Sequence, residues 1–158
     1  MGRPLNHEPD LSRPIYTLGT SNREFQEFIE ILDCYGIVSV VDVRRFPTSR
    51  FEHFRRENLE KALAAEGFDY LYLGGYLGGY RKGGYEAYME SPDFSRGLEI
   101  LLSVAGKGAT AVICAEKLPW KCHRRFIGAA LENIGRRVVH LIEKGRAWAG
   151  TGRTGNGR

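Results

Sequence analysis

Three times along this chain an amphipathic run is cut by one glycine and followed at once by a strand-like run. Phe25, Phe28, Ile29 and Leu32 fall at helical spacing, Gly36 stops them, and Ile37 to Val43 follow as an apolar run. Leu59, Ala62 and Leu63 mark a second helix, closed by Gly67, with a strand from Phe68 to Leu73. Phe126, Ile127, Ala130, Leu131 and Ile134 lead to Gly135 and a strand from Val138 to Ile142. A strand at Ile15 to Leu18 precedes the first unit. Ser91-Pro92-Asp93 opens another helix, with proline at its first position, and leads to a strand from Thr110 to Cys114. The runs Ile37 to Val43 and Thr110 to Cys114 suit strands buried on both faces.

Five strands alternating with helices predict an α/β fold: a single Rossmann-like domain, with a mainly parallel sheet and helices on both faces. The expected strand order is 3-2-1-4-5, with the switch point between strands one and four. Ligands of such sheets bind beyond the carboxyl ends of the strands, near that point. The domain is expected over residues 14–149. Residues 1–13 read as a loose arm and residues 150–158 as a disordered Gly/Arg tail.

Composition narrows the partners. Of 23 basic residues 17 are arginine, and the net charge is +4. Arginine suits planar, bidentate contact with phosphate or carboxylate, so the bias points to an anionic ligand. A genome rich in arginine codons gives the same bias. The candidate partners are an anionic small molecule or a nucleic acid. The three cysteines, Cys34, Cys114 and Cys122, do not form a secreted disulfide framework. No run is long and apolar enough to span a membrane, and residues 1–13 lack the apolar core of a signal peptide. A cytoplasmic protein without membrane contact is expected; its oligomeric state is not readable.

Chemistry-bearing residues gather after three strands. Ser21 and Asn22 follow the first. They are candidate substrate-binding groups, or only the start of a capping box, Ser21-Asn22-Arg23-Glu24. Asp42 and Arg44 end the second: Asp42 is a candidate general base, or the structural partner of Arg44 or Arg124. Cys114 and Glu116 follow the fourth. Cys122-His123-Arg124 opens the last helix, where a helix start and cationic neighbours favour thiolate. Cys122 is therefore the best nucleophile, with His123 beside it and Glu116 as an alternative base. Arg44, Arg124 and the helix start would hold the anion. Cys114 is a packing residue or the redox partner of Cys122. The eight-residue step between the two cysteines matches no common zinc spacing, so neither a metal site nor a cofactor is expected. The glycine- and tyrosine-rich stretch 74–85 reads as a lid or a surface crossover. Its tyrosines could stack a base, with Arg81 and Lys82 on phosphate.

Five segments carry a resemblance. Tyr16 to Arg23, Val41 to Pro47, Leu77-Gly78-Gly79, Cys114-Ala115-Glu116 and Cys122-His123-Arg124 together resemble a widespread microbial family catalogued as domain of unknown function 488. The resemblance runs from about Ile15 to Ile142 and implies a Rossmann-like α/β domain. Two positions depart from the family pattern: Thr20 stands where a histidine is usual, and Gly74-Gly75-Tyr76 replaces a stretch with proline and an acidic residue.

Three function classes follow. The leading one is an enzyme acting on a phosphate-bearing, nucleotide-related substrate in the strand-end cleft. The second is a nucleic-acid binding module. The third is a thiol redox or sulfur-transfer protein using Cys114 and Cys122. A partner-binding domain whose strand-end polar groups are structural is the plain alternative.

Overall fold

A computed structural model describes residues 13–149. The tail and all but the last residue of the arm lie outside the described residues. The described chain runs β1 (Ile15–Gly19), α1 (Phe25–Cys34), β2 (Ser39–Asp42), α2 (Arg56–Ala65), β3 (Asp69–Tyr72), α3 (Gly74–Leu77), α4 (Tyr85–Tyr88), α5 (Pro92–Ala105), β4 (Thr110–Cys114), α6 (Arg124–Asn133), β5 (Val138–Glu143) and β6 (Arg146–Ala149). Short 3-10 turns occupy Glu52–Phe54 and Pro119–Lys121.

The three glycines close their helices in one way. At α1, the Gly36 amide donates to the Asp33 carbonyl and the Ile37 amide to the Leu32 carbonyl, with Gly36 at φ +68. Gly67 after α2 and Gly135 after α6 repeat this Schellman arrangement. A side chain at such a left-handed position is strained, and glycine is not. Each helix therefore ends at a defined residue and turns its chain directly into a strand.

One six-stranded sheet results, in the order β3-β2-β4-β1-β5-β6. All neighbours pair in parallel except β6, which returns antiparallel on β5. The expected order 3-2-1-4-5 is corrected in one respect: β4 inserts between β2 and β1. The chain steps from β1 over a gap to β2 and later fills that gap. Right-handed crossovers allow either path, so helical and strand periodicity do not distinguish them. The neighbours β1 and β4 survive, and so does the switch point between them.

Side-chain parity assigns the two faces. Leu18, Val40, Ala111 and Ile113 pack with Phe28 and Leu32 of α1 and Leu59 and Leu63 of α2. Ile15, Val41, Val112 and Cys114 pack with Phe94 and Leu101 of α5 and Ile127 and Leu131 of α6. Fully burying each such side chain contributes roughly 1.5–3 kcal/mol, which fixes the register of every central strand. Loops leaving β2 and β1 turn to the α1/α2 face, while the loop leaving β4 between them turns to the α6 face. That divergence opens a crevice along the carboxyl edge of the sheet.

Candidate functional site

Buried arginines hold the loops at this edge. Arg23 donates to the carbonyls of Gly19 (2.8 Å) and Ile142 (2.6 Å), tying the end of β1 to the end of β5. Arg44 donates to the Phe54 carbonyl at 2.6 Å. Arg124, 0% exposed, donates to the carbonyls of Glu116 (3.2 Å) and Lys117 (2.7 Å) and to Thr17 Oγ1 (3.2 Å). Much of the arginine content near the edge is thus spent on backbone acceptors that the ending strands leave unpaired.

Behind Arg124 the polar chain continues inward. Thr17 Oγ1 accepts from Arg124 and makes a second hydrogen bond, of 2.6 Å, with His140 Nδ1. The imidazole is neutral. Burial, with the Arg124 charge nearby, lowers the His140 pKa to about 3.

Asp42 belongs to another cluster. Its parity is that of Val40, so its side chain lies on the α1/α2 face. Arg44 grips it through Nε (2.9 Å) and Nη2 (2.8 Å), the Arg44 amide donates at 3.1 Å, and the Tyr70 hydroxyl donates at 2.6 Å. The carboxylate is 0% exposed. Burial first, then the Asp42 charge, pushes the Tyr70 phenol well above its usual range. Of the two sequence expectations for Asp42, the geometry is that of the structural pair with Arg44.

The crevice widens into a cleft of about 850 Å³. Ser21 and Asn22 form one wall, but not as a helix cap. Beyond β1 the ladder to β4 continues: the Thr20 amide donates to the Cys114 carbonyl and the Ser21 amide to Ala115. The N-cap of a capping box is extended, whereas Ser21 and Asn22 form a turn closed by the Arg23 amide on the Thr20 carbonyl. Ser21 sits at φ +51, and α1 starts only at Phe25, with no side-chain cap. The capping-box expectation is corrected on that ground.

Cys114 and Cys122 meet at the cleft floor, with Sγ atoms 2.7 Å apart and both thiols free. Cys114, at the end of β4, is 1% exposed; Cys122 stands two residues before the first residue of α6, with His123 between them. His123 Nδ1 stands 3.6 Å from Cys122 Sγ, and the Arg124 amide donates to that sulfur at 3.5 Å. The Cys114 hydrogen bond, then His123 and the Arg124 amide, pull the Cys122 thiol well below the usual range against the cost of burial. Burial pushes Cys114 up. These opposite directions make Cys122 the sulfur that ionises more readily and Cys114 the one that keeps its proton longer. His123 packs on Tyr85, with ring centroids 5.2 Å apart, and its buried Nε2 has no hydrogen-bond partner among the described residues.

The remaining candidates divide. Glu116 and Arg44 line the cleft, Glu116 with an exposed side chain. Arg124 and Asp42 do not line it, so the expected anion contact by Arg124 is replaced by its bonds to the loop backbone. Arg81 also turns away: it donates to the carbonyls of Gly78 (2.9 Å), Gly74 (3.3 Å) and Gly75 (2.7 Å), and its guanidinium covers Tyr88 at 3.9 Å. The stretch 74–85 is built rather than loose. The Tyr85 and Tyr88 hydroxyls donate to the Leu77 and Tyr76 carbonyls. A Cβ on Gly78 would come within 2.7 Å of Arg45 Cα, so the small residue lets this stretch lie against the segment after β2.

Sequence reasoning gave Phe46 no role and took Lys121 only as a cationic neighbour of Cys122, yet both line the cleft with Arg45, Arg50 and Tyr80. The signal was an exposed aromatic beside arginine in a segment that follows a buried strand. Among the described residues no cluster of three or more His, Cys, Asp or Glu is arranged to hold a metal ion, and no helix is long and apolar enough to cross a membrane.

The family described as Domain of unknown function DUF488 matches residues 24–131, and the chain belongs to it. The match begins just past Ser21 and Asn22 and includes both cysteines. Neither the curated proteins nor the solved structures give a match.

Proposed function

For this member of the family we propose a thiol-dependent oxidoreductase, with Cys122 as the attacking thiolate and Cys114 as its resolving partner. The observation that carries the reading is the 2.7 Å approach of two free sulfurs at the floor of the cleft. The first amides of α6, expected to hold a phosphate, instead include one directed at Cys122 Sγ. Arg44 and Arg124 are occupied by Asp42 and by loop carbonyls. The groups that a phosphoryl-transfer centre needs at the sulfur are thus engaged elsewhere, whereas those that sustain a thiolate are present.

The step balances as an exchange. Cys122 Sγ attacks one sulfur of a substrate disulfide, forming a mixed disulfide and releasing one substrate thiolate, which takes up the proton Cys114 sheds. Cys114 Sγ then attacks Cys122 Sγ and displaces the second substrate thiolate. The substrate is reduced by two electrons, the protein holds a Cys114–Cys122 disulfide, and an external thiol restores the dithiol.

The test is equilibration of the full chain in glutathione buffers of graded potential, followed by mass spectrometry. A Cys114–Cys122 linkage that forms and reverses is expected, together with alkylation of Cys122 at mildly acidic pH. Two thiols that stay unlinked across the range, with Cys122 no more reactive than Cys34, would overturn the proposal.

A further inference from the structure

The mouth of the cleft has a character unlike its floor. Phe46 is 62% exposed and Tyr80 85% exposed, and their rings lie 5.8 Å apart at the rim. Neither contributes to the hydrophobic core, so folding alone gives no reason for two large aromatic rings in water at this spot. Tyr80 is also held at φ +61, a left-handed conformation uncommon for a bulky residue. The backbone beside it is pinned from both sides. Arg45 Nη1 donates to the Gly79 and Tyr80 carbonyls at 3.3 Å each, and Arg81 holds Gly78. The chain thus fixes the loop while leaving the Tyr80 ring free, an arrangement that costs stability locally and persists through these ties.

Arg45, Arg50 and Lys121 line the same cleft as the two rings. The Arg45 guanidinium lies 5.5 Å from the Phe46 ring, and that of Arg50 lies 5.0 Å from Phe51. Among the described residues no carboxylate pairs with any of these three cations. Among the described residues Glu116 is the one acidic residue lining the cleft. An aromatic platform beside unneutralised cations matches a ligand with a flat ring at one end and a phosphate at the other.

We infer that the cleft mouth binds a 5′-nucleotide, its base stacked on Phe46 and Tyr80 and its phosphate among Arg45, Arg50 and Lys121. A cleft of about 850 Å³ has room for one such molecule reaching toward the sulfurs. That the nucleotide carries the group Cys122 attacks rests on the thiol reading; the binding itself does not. A single nucleotide is favoured over a polynucleotide because the cations ring one cleft rather than tracking a groove.

Calorimetric titration of the full chain at low salt decides the matter, with AMP, adenosine, ribose 5-phosphate and a single-stranded ten-nucleotide DNA as probes. AMP should bind, and adenosine and ribose 5-phosphate should each bind at least tenfold more weakly. Tyr80→Ala and Phe46→Ala should each weaken AMP by roughly 5- to 100-fold, the worth of one stacked base, while leaving ribose 5-phosphate unchanged. Arg50→Ala should weaken AMP but not adenosine. These three side chains are exposed or at the rim, and unchanged thermal midpoints would show the variants folded. Equal binding of AMP and ribose 5-phosphate overturns the stacking, and absence of AMP binding overturns the proposal. So does preference for the DNA over AMP, which would make the mouth a polynucleotide surface. Cys122→Ser should retain AMP binding. Absence of thiol chemistry in the parent chain, with AMP binding intact, would count against the oxidoreductase reading alone.

Discussion

Replacing Cys114 by alanine removes the sulfur 2.7 Å from Cys122 Sγ, whose hydrogen bond, with Cys114 taken as the donor, is the largest of the influences pulling that thiol down. Hydrogen bonds to charged groups contribute about 1.5–3 kcal/mol. A thiol is a weak donor, so the low end, about 1.5 kcal/mol, is the appropriate figure. At 1.36 kcal/mol per unit, that raises the Cys122 midpoint by about one pH unit. His123 Nδ1 and the Arg124 amide remain in place and hold the thiol below its ordinary range. The assay is the rate of iodoacetamide alkylation against pH, in a Cys34→Ser background because Cys34 is exposed. Below both midpoints the variant has about tenfold less thiolate, but a more basic thiolate is the better nucleophile, with a Brønsted slope of about 0.45. The net slowing at low pH is therefore about fourfold, and above both midpoints the variant should react about threefold faster than the parent. The two profiles cross. Cys114→Ser, which keeps a donor, should shift less. A midpoint that stays put or moves down in the alanine variant would refute the assignment of Cys114 as donor.

Asp42→Asn should cost about 3–5 kcal/mol in urea unfolding, since it leaves the buried Arg44 guanidinium without its counter-charge; a loss under about 1 kcal/mol would place the pair among the weak surface bridges. The same variant should leave the Cys122 midpoint unmoved, because Asp42 lies across the sheet from the sulfurs. His140 is held neutral in the fold, its pKa lowered to about 3, whereas the unfolded chain takes up a proton below about 6.5. The unfolded state therefore binds more protons between those values, so stability rises with pH in that window and is lost as pH falls, by up to about 1.4 kcal/mol per unit. Unfolding curves at several pH values should show His140→Gln with a flatter dependence there; a difference between parent and variant that stays constant with pH would count against this account.

The fold was legible where local chemistry decides it. Gly36, Gly67 and Gly135 are readable because a Schellman stop needs a residue that tolerates the left-handed region, and each strand follows directly. Strand β6 escaped notice. Arg146–Ala149 is short, mostly exposed and paired only through a two-residue turn, so it lacks a buried face to write a pattern. The insertion of β4 between β1 and β2 is a long-range choice that no local window encodes.

In the site, the meeting of Cys114 and Cys122 was an open alternative in the sequence, since their loop passes through a 3-10 turn before α6 begins. The separation of Asp42 from the thiols was in principle readable. Asp42 shares parity with Val40, and Cys114 with Val112, which sends the two side chains to opposite faces. Arg124 was misjudged because its neighbours in sequence, Cys122 and His123, face the cleft, while one step further along the helix start its side chain runs into the core.

The arginine ties at the carboxyl edge carry a consequence for redesign. Arg23, Arg44 and Arg124 grip the loops through the carbonyl oxygens of Gly19, Ile142, Phe54, Glu116 and Lys117. Every residue type offers that oxygen, so these anchors are indifferent to most side chains on the loops they fasten. The frame is held through backbone oxygens, which leaves the exposed side chains of the cleft outside its anchoring. Exposed positions such as Glu116 can therefore be exchanged to change what the cleft accepts while the frame keeps its grip.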